Sequence, residues 1–276
     1  MKKFTIVSNE IKDAGLVKAN EIKDLILANY KDLSISICEM QACAAYDYSD
    51  TDCIMVLGGD GTMLRVVTDT VKSGLPIIGI NIGKLGFLTE VELDHVLDAV
   101  KMLMSEKYHI EERMMLDGRI MGKEDKFIPA LNDIVLSRST DMMLVGYRVS
   151  VNHHFLKDFY ADGMIVSTPT GSTGYNMSAG GAIVEPLARL IQLTPICPHT
   201  LDTRSIILSA EDIVDIEVLP PKGDKKPQVG VYFDGRMKDN MEPGDKIRIA
   251  MADEVSRICR ISDAGFLEVL NSKMNE

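Results

Sequence analysis

The stretch "CIMVLGGDGTMLRVV", residues 53–67, decides how the first part of the chain is read. Its apolar run, Ile54–Leu57, has the character of a buried strand. The run stops at Gly58-Gly59-Asp60-Gly61-Thr62, and helical spacing takes over from Met63 to Val71. A strand that passes through glycines into a helix makes a phosphate-binding turn. Glycine lets the main chain approach an anion, and the free N–H groups at the helix start point toward it. Two standard phosphate motifs are absent, since the chain has no GxxxxGK[ST] and "GDGTML" lacks the third glycine of GxGxxG. Asp60 is the unusual member, because a carboxylate repels phosphates unless a metal bridges them or it has a proton to accept. The alternative is an ordinary tight turn with Asp60 or Thr62 as helix N-cap.

Outward from this turn, strand and helix patterns alternate. Phe4–Val7, Ser34–Ile37, Ile54–Leu57 and Pro76–Ile80 read as strands, while 11–28, 63–71 and 93–104 carry helical spacing. Such alternation implies a doubly wound α/β domain with its ligand crevice at the carboxyl edge of the sheet. After about residue 108 short alternating runs dominate: 114–121, 134–136, 147–151, 206–208, 213–219, 229–233, 247–250 and 266–270. Turn signals such as "VNHHF" (151–155), "PPKGDKKPQ" (220–228) and "EPGDK" (242–246) separate them. The expected organisation is an N-terminal α/β domain over 1–107 and an all-β, sandwich-like domain over 108–276. The last residues are free to return onto the first domain.

Apolar residues make up 46% of the 276, enough for a substantial core, and the net charge of −11 argues against a nucleic-acid or anionic-membrane surface. The five cysteines are scattered without a CxxC, which disfavours a zinc ribbon or a redox dithiol and suits a reducing cytoplasm. No run reaches 18 apolar residues, so no membrane span is expected. His153-His154 reads as a solvated turn rather than a metal site, and the 17 methionines as core filler.

A second segment, "DGMIVSTPTGSTGYNMSAGG" (162–181), holds five glycines and six Ser/Thr hydroxyls between Gly163 and Gly181, with no charged side chain there. Such a loop can hold phosphates or sugar hydroxyls through main-chain and hydroxyl donors. A third, "LNDIVLSR" (131–138), places Asn132 and Asp133 before an apolar strand, where an amide and a carboxylate could read ligand hydroxyls or simply form a turn.

"GGDGT" (58–62), "NIGKLGFL" (81–88), "LNDIVL" (131–136), the 162–181 segment and "PICPHTL" (195–201), in that order, resemble the bacterial NAD kinases across nearly the whole chain. GGDGT alone is shared with lipid kinases, and STPTGST is the more specific part. The resemblance implies transfer of the γ-phosphoryl of ATP, or of polyphosphate, to the 2′-hydroxyl of the adenosine ribose of NAD, giving NADP. It implies a divalent cation such as Mg²⁺ with ATP, and homodimers or homotetramers. Asp60 then matches the base. Gly58, Gly59, Gly61, Thr62, Arg65 and Phe87 match nucleotide contacts, with Arg65 facing phosphate. Asn132 and Asp133 match a pair that binds one end of NAD, and Asp162 a carboxylate near the nicotinamide carboxamide. Thr173, Gly174, Tyr175 and Ser178 match the loop that closes on NAD, and His199 borders the site or only shapes a turn.

Three departures stand out. Gly174 replaces the usual alanine of GSTAY, Tyr160 stands where a basic residue is common, and Arg236 follows "FDG" where a glutamine is common. Arg236 is therefore a candidate for the charge missing at 160. Three rival readings are a lipid kinase, a non-catalytic NAD(P) sensor and a sugar-phosphate kinase. The acidity and the absence of a basic membrane-facing helix oppose the first. The retained Asp60 opposes the second, and the scarcity of Lys and Arg near the glycine turns opposes the third.

Overall fold

A computed structural model describes the chain except residues 84–85, 124–127, 140–143, 200–203, 222–226, 263–264 and 275–276. The centre of the "PPKGDKKPQ" turn, Lys84 and Leu85 of "NIGKLGFL", and the last two residues of "PICPHTL" lie outside the described residues. The chain forms two compact units, Met1–Arg113 with Glu254–Glu276, and Met114–Asp253.

The first unit contains β1 (Lys3–Ser8), α1 (Val17–Asn29), β2 (Ser34–Glu39), β3 (Cys53–Leu57), α2 (Asp60–Thr70), β4 (Ile77–Asn81), β5 (Val91–Glu92), α3 (Val96–Met104) and the start of β6 (His109–Ile120). Its strands pair in parallel in the order β2-β1-β3-β4. Phe4, Ile6, Met55, Leu57, Ile78 and Ile80 turn one face toward Ile22 and Ile26 of α1 and Val100 and Leu103 of α3. Burying each such apolar side chain contributes about 1.5–3 kcal/mol. Gly79 faces the other way, where a Cβ would come 3.0 Å from the sulphur of Met63 on α2. Helices thus cover both faces of a parallel sheet, the expected doubly wound layering.

The second unit contains β7 (Pro129–Ala130), β8 (Asp133–Arg138), β9 (Val145–Val151), β10 (His154–Ala161), β11 (Gly163–Ser167), α4 (Tyr175–Ser178), β12 (Leu190–Ile196), β13 (Ile206–Ser209), β14 (Val214–Val218), β15 (Val229–Phe233), β16 (Arg236–Met241) and the start of β17 (Lys246–Arg260). One antiparallel sheet runs β13-β12-β11-β8-β15-β16; the strands β10-β9-β14-β17 form another antiparallel layer. Leu136, Val166, Leu193 and Val231 of the first meet Tyr147, Val149, Ile216 and Ile249 of the second in one buried core. This is the expected sandwich. Its two-residue hairpins, Asn152-His153 and Asp234-Gly235, all have positive φ, the geometry whose twist matches paired strands.

Several local expectations are corrected. The helix expected from Ile11 begins at Val17, because Gly15 (φ 67°) and Leu16 (φ 54°) are left-handed and interrupt it. The helix expected from Met63 begins at Asp60, so the glycine turn is itself the first helical turn. Residues 266–270, expected as a strand, belong to a helix, α5 (Phe266–Met274). Phe266, Val269 and Leu270 fit the helical i, i+3, i+4 spacing, Phe266 and Leu270 alone also fit an alternating one, and so short a run cannot decide between them. Among the described residues no helix is long and apolar enough to cross a membrane.

Candidate functional site

In the first unit β1 and β3 are neighbours, yet the chain leaves β1 for β2 on one side and β3 for β4 on the other. That reversal opens a crevice outside the carboxyl ends, at Ser8 and Leu57. Over β1 an internal anion already occupies it. The buried carboxylate of Asp13 accepts hydrogen bonds from Ser8 Oγ (2.9 Å) and from the N–H groups of Lys18 (2.8 Å) and Ala19 (3.1 Å) at the start of α1. Over β3 no described side chain caps α2, whose N-cap is Gly59. Among the described residues, a Cβ on Gly59 or Gly61 would meet nothing within 4 Å. The electropositive amino end of α2 is therefore open.

Gly58 differs from them. A Cβ there would come 2.6 Å from Thr62 Oγ1, so only glycine lets the strand turn so close to the helix. Thr62 is 2% exposed, and its hydroxyl has no hydrogen-bond partner among the described residues. Asn81 Nδ2, at the end of β4, is likewise buried without an acceptor. A buried donor left unpaired costs about 1–3 kcal/mol, so such groups mark places suited to ligand oxygens. Arg65 is half-buried one turn further on, with Nε 3.5 Å from Asp69.

Asp60 is neither the cap of its own helix nor a free turn residue. Its carboxylate reaches back to the segment after β4. Oδ2 accepts from Phe87 N at 2.7 Å, and Oδ1 accepts from Leu88 N at 3.1 Å and Thr89 N at 3.3 Å. Gly86 packs so tightly against this carboxylate that a Cβ there would overlap it. Phe87 therefore lies beside Asp60.

The second unit repeats the device. Asp234, in the β15–β16 hairpin, accepts from Leu131 N (2.9 Å), Asn132 N (2.7 Å) and Asp133 N (3.2 Å). It fixes the Asn132-Asp133 pair from about a hundred residues away. Burial and the neighbouring Asp234 push the Asp133 carboxyl up to about 7. The loop after β11 packs on the same place. Thr168 N donates to Asn132 O at 2.9 Å, a Cβ on Gly171 would overlap that carbonyl, and a Cβ on Gly174 would lie 3.6 Å from Asn132 Nδ2. Asn132, Asp133, Thr173 and Gly174 are thus gathered at one end of β8 and β11, next to the exposed Tyr175 and Ser178. Arg236 opens β16 two residues after Asp234.

Asp162 stands at the other end. It precedes β11, and its Oδ2 accepts from Arg138 Nη2 at 3.1 Å, while Ser167 at the far end of β11 pairs with Asp133. Five strand residues at ~3.3 Å each separate the two ends by roughly 16 Å. Only an extended ligand could touch both.

Residues 6–108 match the family model for the ATP-NAD kinase N-terminal domain, and residues 131–261 match that for the ATP-NAD kinase C-terminal domain. The chain belongs to the ATP-NAD kinase family. It is 39% identical over 284 residues to the NAD kinase of Agathobacter rectalis, covering 99% of each chain. It is 36% identical over 287 residues to that of Lachnoclostridium phytofermentans, covering both completely. Its fold is similar to that of yeast NADH kinase crystallised with NADH (TM-score 0.88, 22% identity, 100% of this chain and 88% of that one). It is also similar to an Archaeoglobus fulgidus NAD kinase in complex with ATP (TM-score 0.72, 22% identity, 97% and 96%). Asp234, which holds residues 131–133, and Gly86, which packs on Asp60, are the candidate-site residues that sequence reasoning missed. "FDGR" reads locally as a hairpin turn, and nothing near Gly86 in sequence indicates that it must leave space for Asp60.

Proposed function

We propose that this protein is an NAD kinase in which Asp60 accepts the proton of the ribose 2′-hydroxyl as the γ-phosphoryl of ATP is transferred to it. The observation that carries the reading is an aspartate held rigidly at the open amino end of a helix, at the switch point of a parallel sheet. Phosphoryl transfer depends on positioning and charge neutralisation more than on covalent help. Three main-chain donors fix the carboxylate, two on Oδ1 and one on Oδ2. Each carboxylate oxygen has two lone pairs, so Oδ2 keeps one for a hydroxyl hydrogen.

The amino end of α2, with Gly59, Gly61 and the Thr62 hydroxyl, receives phosphate oxygens, and Arg65 adds positive charge one turn away. Asn132, Asp133 and the loop Thr173–Ser178 hold NAD, Asp162 the distant end of the same extended dinucleotide, and Arg236 supplies charge near the first. The described residues contain no group of three or more His, Cys, Asp or Glu placed to cage a cation. A divalent cation such as Mg²⁺ would enter with the ATP phosphates and neutralise their charge. The protein works in the cytoplasm as a homodimer or homotetramer.

The test is direct. Purified protein is incubated with Mg-ATP and NAD, and the product is coupled to an NADP-specific dehydrogenase. Formation of NADP is expected. No signal, with phosphorylation of diacylglycerol instead, overturns the reading in favour of a lipid kinase.

A further inference from the structure

Arg260, near the end of β17, is 13% exposed and bonds in three directions. Its Nη1 donates to Glu90 Oε2 at 2.7 Å, its Nε to Glu111 Oε2 at 3.0 Å, and its Nη2 to the carbonyl of Phe87 at 3.1 Å. Glu90 in turn accepts from Ile261 N (3.1 Å) and Ser262 N (2.8 Å). Phe87 is the residue whose N–H holds Asp60 Oδ2. One peptide unit on each side of the Phe87 Cα is therefore committed, the N–H side to the aspartate and the C=O side to the guanidinium.

We infer that Arg260 is a positioning residue for phosphoryl transfer, setting the 86–89 segment at the height and angle from which its N–H groups aim the Asp60 carboxylate. A planar guanidinium can serve two carboxylates and a carbonyl at once, because its five donors leave in fixed directions. Glu90 and Glu111 neutralise it and stop it from turning, and Arg113 is bonded to Glu111 in the same group. Gly86 lets the segment lie flush against the carboxylate, so a displacement of the segment passes directly to Asp60. Three of the five donors of Arg260 are committed to Glu90, Glu111 and the Phe87 carbonyl, so Arg260 acts on Asp60 through this segment. The inference rests on the assignment of Asp60 as base.

The test is a double-substitution cycle in the full chain: Arg260→Gln, Arg260→Lys, Asp60→Asn and each Arg260 variant combined with Asp60→Asn, with kcat and KM measured for NAD and ATP at fixed pH. Arg260→Lys keeps one positive charge between Glu90 and Glu111 but cannot span all three acceptors, so it carries the test if Arg260→Gln does not fold by thermal melting. Expected is a fall in kcat of at least tenfold for the Arg260 variant, with both KM values within threefold of the parent. In the Asp60→Asn background the same substitution lowers kcat by less than twofold, because what it positions is already gone. An equal fall in both backgrounds overturns the inference and leaves Arg260 a fold-stabilising residue. So does a KM rise with kcat unchanged. Near-normal turnover in Asp60→Asn alone overturns the base assignment, and the positioning role with it.

Discussion

Gly86 stands against the carboxylate of Asp60 with no space for a methyl group between them. The two residues are 26 positions apart, yet each dictates what the other can be. Gly86→Ala is expected to drive the aspartate off the N–H groups of residues 87–89. It should lower turnover tenfold or more and destabilise the fold by about 1–3 kcal/mol, the usual range for overpacking. Steady-state kinetics and thermal melts of the same preparation check both numbers.

Asp60→Asn keeps the shape of the side chain but cannot take up a proton, and it leaves one oxygen instead of two to accept from residues 87–89. Turnover is expected to fall by roughly 10²–10⁴ with the fold intact, the scale for loss of a general base. The NADP-coupled assay with a far-UV circular dichroism control measures this, and a near-normal rate would remove Asp60 from the chemistry.

Gly61→Ala makes a useful contrast with Gly86→Ala. A Cβ at position 61 meets no neighbour within 4 Å among the described residues, so the melting temperature should barely move. A methyl group over the amino end of α2 should nevertheless impede an incoming phosphate. The expected result is a KM for ATP raised several-fold in a protein of parental stability.

Asp133 gives the fold a pH dependence whose sign follows from its surroundings. Burial, with Asp234 second, raises its carboxyl to about 7 in the folded protein, against about 3.9 in an unfolded chain. Between those values the folded state holds the extra proton, so this group's contribution to stability is greatest below pH 4 and is lost as pH rises toward 7. Asp133→Asn, which cannot ionise, should raise the melting temperature by several degrees at pH 8 and leave it nearly unchanged at pH 4.

Asp234→Asn removes the like charge beside Asp133 and weakens the acceptor for three successive N–H groups. The Asp133 carboxyl should fall only part of the way, because burial, the larger cause, remains, and the pH dependence should weaken without disappearing. The Asn132-Asp133 pair should loosen, raising KM for NAD more than it lowers kcat. A titration of stability from pH 4 to 8 and a substrate-saturation series test the two consequences.

The sequence by itself determined the doubly wound unit, the β-sandwich and the three polar segments proposed above to bind nucleotide. Hydrophobic period and glycine placement act within a few residues, and the turn after Leu57 can be read without its neighbours. The local pattern could not separate helix from strand at 266–270, nor see that Gly15 and Leu16 would delay α1. Only the tertiary structure decided what the key carboxylates touch. Asp60 is held by N–H groups 27 to 29 residues away, and Asp234 holds N–H groups more than a hundred residues before it. Such pairings depend on strand order and on where two turns come to rest together. A hydrogen bond between groups so distant leaves no periodic trace in the chain that makes it.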